Sequence, residues 1–102
     1  MAWVSIADES EIAVGDMKYF SALDVPVTVY HLEDGWYATS DVCTHQDCSL
    51  SEGEIEENEI VCWCHGGAFN IRTGEATRMP CVIPVETFAV RIREGRVEVD
   101  VE

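Results

Sequence analysis

From Phe88 to Glu102 apolar and polar side chains alternate with a period of two, interrupted once by Glu94-Gly95. Phe88, Val90 and Ile92 alternate with Ala89, Arg91 and Arg93; Val97, Val99 and Val101 alternate with Glu98, Asp100 and Glu102. Strict alternation puts one set of side chains on each face of an extended ribbon. The segment therefore reads as an antiparallel hairpin whose two-residue turn sets Arg91 opposite Glu98. Upstream the texture is the same: short extended runs separated by turn signals. Strands are expected at Trp3–Ala7, Met17–Ala22, Val25–Leu32 and Gly35–Ser40, with Glu33-Asp34-Gly35 as a turn. Ser10 to Gly15 is too short for a helix and ends in glycine. An all-β chain, sandwich or barrel, follows.

A chain of 102 residues has room for one core, so a single domain over residues 1–102 is expected. Twenty acids against six bases give a net charge of −14. That charge repels phosphate backbones and excludes nucleic acid as a partner, while favouring a partner with a basic patch. No apolar run approaches the ~18 residues of a membrane span. Met1 to Ser5 lacks the basic-then-apolar pattern of an export signal, so no membrane association and a cytoplasmic location are expected.

The middle of the chain breaks the alternation. Asp41–Leu50 and Cys62–Phe69 hold four of the five cysteines, Cys43, Cys48, Cys62 and Cys64, within 22 residues; the fifth is Cys81. Between them Glu54 to Cys62 suits a hairpin turning at Glu57-Asn58. In a reducing compartment clustered cysteines point to metal or redox chemistry. The two segments read Cys43-Thr44-His45 and Cys62-Trp63-Cys64-His65, that is C-x-H, 16 residues, C-x-x-H. Zinc fingers commonly group like ligands, whereas each loop here offers one thiolate and one imidazole. Facing loops of this kind segregate sulfur from nitrogen, an arrangement suited to two metal atoms with different ligand sets. A structural zinc and a Cys-His nucleophile are the alternatives; the second lacks any accompanying oxyanion arrangement.

These motifs resemble those of the Rieske-type 2Fe–2S ferredoxins, and in particular the ferredoxin components of bacterial aromatic-ring-hydroxylating dioxygenase systems. The resemblance extends to Ser49-Leu50-Ser51-Glu52-Gly53, His65-Gly66-Gly67-Ala68-Phe69, Arg72-Thr73-Gly74 and the Met79-Pro80 to Pro84-Val85 stretch. It implies an all-β Rieske domain: an antiparallel sandwich or barrel base carrying a small cluster-binding lobe at about residues 42–82. Cys43 and Cys62 would hold the inner iron of one 2Fe–2S cluster, and His45 and His65 the outer iron. No catalytic residue is implied. The chain would be a monomeric one-electron carrier between a flavin-dependent ferredoxin reductase and a terminal Rieske oxygenase. The small Rieske-like subunit of a nitrite reductase is a second reading, and a structural metal module a third.

Cys48 and Cys64 stand where high-potential Rieske proteins form a loop-to-loop disulfide, although dioxygenase ferredoxins mostly lack that pair; the alternative is two buried reduced thiols. High-potential proteins also carry hydroxyls in a C-P-C-H-G-S-x-Y loop, where this chain has Gly67 and Phe69. Without those donors, and with Glu52, Glu54, Glu56, Glu57 and Glu59 between the motifs, the expected potential lies at the low end of the Rieske range, roughly −150 mV. Trp63 stands where proline is common. Gly66 and Gly67 would let the second loop approach the cluster, and Pro80 and Pro84 bracket a third loop over it. Cys81 and His31 are expected to be packed side chains without a metal role, and Trp3 and Trp36 to lie in the core.

Overall fold

The computed structural model describes residues 2–44, 48–64 and 66–101. The described residues form ten strands: β1 (Trp3–Asp8), β2 (Met17–Ala22), β3 (Val25–Leu32), β4 (Gly35–Ser40), β5 (Glu54–Glu56), β6 (Glu59–Val61), β7 (Ala68–Asn70), β8 (Ala76–Arg78), β9 (Thr87–Arg93) and β10 (Arg96–Asp100). Among the described residues there is no α-helix, only 3-10 turns at Glu9–Glu11 and Leu50–Glu52. The first of these is closed by a capping box, in which Asp8 accepts from the Ser10 backbone and Glu11 from the Asp8 backbone.

Six strands form the base in the order β1-β10-β9-β4-β3-β2, every pairing antiparallel. The outermost strands, β1 and β2, approach each other, so the sheet curls almost into a barrel. Its interior is filled by Ile12, Ala22, Val27, Val29, Ala38, Val97 and Val99. The closing hairpin has the register that its alternation requires: Arg91 pairs with Glu98, and their side chains meet at 2.6 Å. Four short strands, β5-β6-β7-β8, make a second antiparallel sheet. A separate core joins this lobe to the base through Tyr30, Leu32, Leu50, Ile60, Phe69, Ile71 and Val85.

Strand β3 explains how the two parts are joined. Val27 and Val29 point into the barrel, while Thr28, Tyr30 and Leu32 point the other way and are equally buried. A strand covered on both faces reads as a nearly continuous apolar run, and β3 does. The Tyr30 hydroxyl bonds to Thr39 Oγ1 at 2.8 Å, and burial holds its pKa well above the ordinary value.

Trp36 packs against the barrel core and stacks on His31, whose Nδ1 lies 2.8 Å from the Ile12 carbonyl oxygen. Trp3 departs from expectation. It is half-buried beneath the Arg91 guanidinium, 4.1 Å from its ring centre, because β1 is an outer strand of the base order. Strands β7 and β8 carry no signal in the sequence, since three-residue strands are too short to show a period.

Candidate metal centre

The first loop leaves β4 at Asp41 and is closed at its neck. Val42 bridges Ser49, and the Cys43 amide donates to the Cys48 carbonyl at 3.0 Å. Asp41 organises what lies below. Its buried carboxylate accepts from Thr28 Oγ1 at 2.6 Å, from Ser49 Oγ at 2.5 Å and from the Ser51 amide at 2.9 Å. Its own carbonyl accepts from the Leu50 amide at 2.7 Å. Because Thr28 is on β3, these bonds tie the loop to the rigid wall of the base. A buried carboxylate is tolerated when its oxygens are satisfied in this way.

The second loop joins β6 to β7. The Cys62 amide donates to the Gly67 carbonyl at 2.7 Å, and the Gly66 amide donates back to the Cys62 carbonyl at 3.1 Å. Gly66 adopts a φ of 75°, which a side chain would disfavour. A disulfide joins Cys48 to Cys64, with their Cα atoms 6.5 Å apart, and so clips the two loops together. The Cys62 sulfur lies within 4.8 Å of both bridged sulfurs.

A third loop, between β8 and β9, closes over the same end. It begins with a cis Met79–Pro80 peptide and is fastened by Thr44, whose hydroxyl donates to the Ile83 carbonyl at 2.6 Å. This loop delivers Cys81, whose sulfur lies 3.7 Å from that of Cys43. Burial, followed by the neighbouring Cys43 and Cys62 sulfurs, pushes the Cys81 thiol up to about 12. In the sequence Cys81 reads as an ordinary packed cysteine. Its isolated position in the chain carries no ligand spacing, and only the folding back of the third loop sets it beside Cys43.

Cys43 and Cys62, expected as ligands, are both 2% exposed and sit on the two clipped loops. His45 and His65 lie outside the described residues. The described donors fit the sulfur half of a mixed-ligand iron–sulfur centre: two buried, soft side chains outside the disulfide, held on separate loops and screened from water. Among the described residues, the same three loops also expose apolar side chains. Val42, Trp63, Met79, Val82 and Ile83 are all exposed, and they come from all three loops. Beside the second loop a shallow cavity of about 300 Å³ is lined by Glu52, Glu54, Cys62, Trp63 and Gly66 among others.

The Rieske [2Fe-2S] domain matches residues 2–89 of the chain. Ferredoxin CarAc of Metapseudomonas resinovorans is 39% identical over 98 residues, covering 95% of this chain and 92% of that protein. The ferredoxin component of biphenyl 2,3-dioxygenase from Rhodococcus jostii (strain RHA1) is 35% identical over 102 residues, covering 100% and 95%. Among solved structures, a chain in the complex of reduced oxygenase and oxidized ferredoxin of carbazole 1,9a-dioxygenase superposes with a TM-score of 0.92 at 39% identity, covering 98% of this chain and 94% of that one.

Proposed function

This chain belongs to the Rieske [2Fe-2S] domain family, and from that premise we propose that it carries single electrons from a flavin-dependent reductase to the terminal oxygenase of an aromatic-ring-hydroxylating dioxygenase system. The observation that carries the reading is the pairing of two buried sulfurs, Cys43 and Cys62, with an exposed apolar rim built by the same loops. A carrier needs its redox centre shielded from water yet close to a surface that a partner can cover. The solved relative is described in complex with an oxygenase, which supports that enzyme class as the acceptor.

When bound, a Rieske-type [2Fe–2S] cluster supplies a reversible one-electron couple. Cys43 and Cys62 would hold the inner iron, and His45 and His65 the outer iron. Replacing two thiolates by neutral imidazoles makes such a centre less negative and easier to reduce than one with four cysteines. The chain itself breaks no bond. Residues 1–102 act as one unit, with about 42–82 as the cluster-binding lobe; the second sheet, β5 to β8, falls inside that span. The reading includes a monomeric carrier in the cytoplasm. Among the described residues no helix is long and apolar enough to cross a membrane.

Anaerobically purified protein is expected to be brown, with a midpoint near the low end of the Rieske range, about −150 mV. Its dithionite-reduced EPR spectrum should be that of mixed imidazole–thiolate ligation. With a reductase and a terminal oxygenase added, ring hydroxylation should depend on its presence. A colourless zinc protein, or His45→Ala and His65→Ala variants that keep colour and electron uptake, would overturn the reading.

A further inference from the structure

Cys81 belongs to neither ligand motif, yet its side chain is buried against the sulfur of Cys43, at 3.7 Å. Its place is made by Gly67. A Cβ at that position would overlap the Cys81 sulfur, so the space beside the second loop that a side chain at 67 would occupy is filled by a thiol from the third loop. The second loop itself has no hydroxyl to offer at 67 or 69. We propose that Cys81 is a positioning and tuning residue, whose thiol donates a hydrogen bond to the Cys43 sulfur and thereby makes the bound centre easier to reduce. The proposal rests on the reading of Cys43 as an iron ligand.

The direction of the bond follows from the chemistry of the pair. A sulfur bound to iron is a thiolate and has no proton to give, so Cys81 is the donor and Cys43 the acceptor. Such a bond withdraws negative charge from the ligand. The reduced centre carries one more negative charge than the oxidised one, so it gains more from the donor, and the potential rises. The S–H group is a weak donor, which makes this a fine adjustment within a low-potential site.

The test compares wild-type holoprotein with Cys81→Val and Cys81→Ser by EPR-monitored redox titration. Cys81→Val keeps the site filled by an apolar side chain, at the cost of one added methyl, and removes the donor. It should lower the equilibrium constant for one-electron reduction at least threefold, a fall of about 28 mV or more at 59 mV per tenfold. Cys81→Ser restores a donor and should return the constant to within threefold of wild type. If Cys81→Val does not fold, Cys81→Ala, which adds no atom to the site, replaces it. A wild-type EPR spectrum with a constant unchanged within threefold in the donor-free variant overturns the proposal while leaving the ligand reading intact. Loss of the centre from both donor-free variants also overturns it and makes Cys81 a packing residue. Failure of the ligand reading shows separately, as wild-type protein without a mixed-ligand spectrum.

Discussion

Asp41 is not among the proposed ligands, yet its carboxylate holds the loop that carries one of them, Cys43. Three donors converge on its carboxylate: Thr28 Oγ1, Ser49 Oγ and the Ser51 amide. Its removal takes this acceptor from the Thr28 hydroxyl and the Ser51 amide, while Ser49 Oγ keeps the Ser51 hydroxyl at 2.8 Å. Stranding buried donors costs far more than an average hydrogen bond contributes. Asp41→Ala is expected to destabilise the holoprotein by about 3 kcal/mol, read from urea unfolding, and to speed cluster loss followed by bleaching. A loss below about 1 kcal/mol would mean that the loop is held by other contacts. The ligand candidates Cys43 and Cys62 were legible because their spacing from the histidines is specific. Asp41 was not, because an isolated aspartate after a strand reads as an ordinary turn residue until Thr28, 13 positions earlier, is seen across from it.

At the scale of elements, turns separate what local chemistry favours from what the sheet imposes. The β9–β10 turn at Glu94-Gly95 has both residues at positive φ, 53° and 77°, as a tight hairpin requires, and its glycine announced it. The β2–β3 turn does the same with Leu23 and Asp24, at 51° and 66°, a conformation that aspartate tolerates and leucine does not. Leu23 is 66% exposed, so its side chain contributes little packing to offset the strain. Leu23→Asn is therefore expected to stabilise the protein by about 1 kcal/mol, raising the melting temperature by about 4–8 °C. An unchanged or lower melting temperature would show that the strain is relieved elsewhere. Strand β3 was readable from its β-branched residues Val25, Val27, Thr28 and Val29, and β2 and β4 as short runs set off by turn signals such as Glu33-Asp34-Gly35. Strands β7 and β8 owe their existence to pairing: Phe69 lies opposite Ile60 on one side and Ala76 on the other.

The whole molecule is an acidic body with few positive charges left for partners. Lys18 pairs with Glu11, Arg72 with Asp34, Arg78 with Glu56 and Glu59, and Arg91 with Glu98. Of a net −14, most of the excess faces outward, so docking to a basic partner should be steered by charge and screened by salt. The second-order rate constant for electron transfer to the oxygenase is expected to fall as ionic strength rises from 0.05 to about 0.5 M; a flat profile would assign docking to the apolar rim alone. Acid sensitivity follows from the same pairs. Hydrogen bonding to Arg72 holds the Asp34 carboxyl below its usual 3.8, and backbone hydrogen bonds within the capping box hold Asp8 and Glu11 below their usual 3.8 and 4.5. Each group binds its proton more weakly folded than unfolded. Its contribution is therefore complete above the unfolded value and is lost as pH falls through the lower folded one. Between pH 5 and 3 the urea midpoint of Asp34→Asn should fall less steeply than that of the wild type, and equal slopes would refute the assignment.

The sequence by itself determined the all-β class, the closing hairpin with its Arg91–Glu98 pair, and the ligand spacing that singles out Cys43 and Cys62. Alternation, turn residues and ligand spacing are local properties that survive in a linear string. Only the tertiary structure decided that β3 would be buried on both faces, that Asp41 would anchor the first loop, and that Cys81 would lie against Cys43. Each of these depends on segments far apart in the chain being brought together by the curl of the base sheet and the three loops closing at one end, and no local pattern encodes that distance.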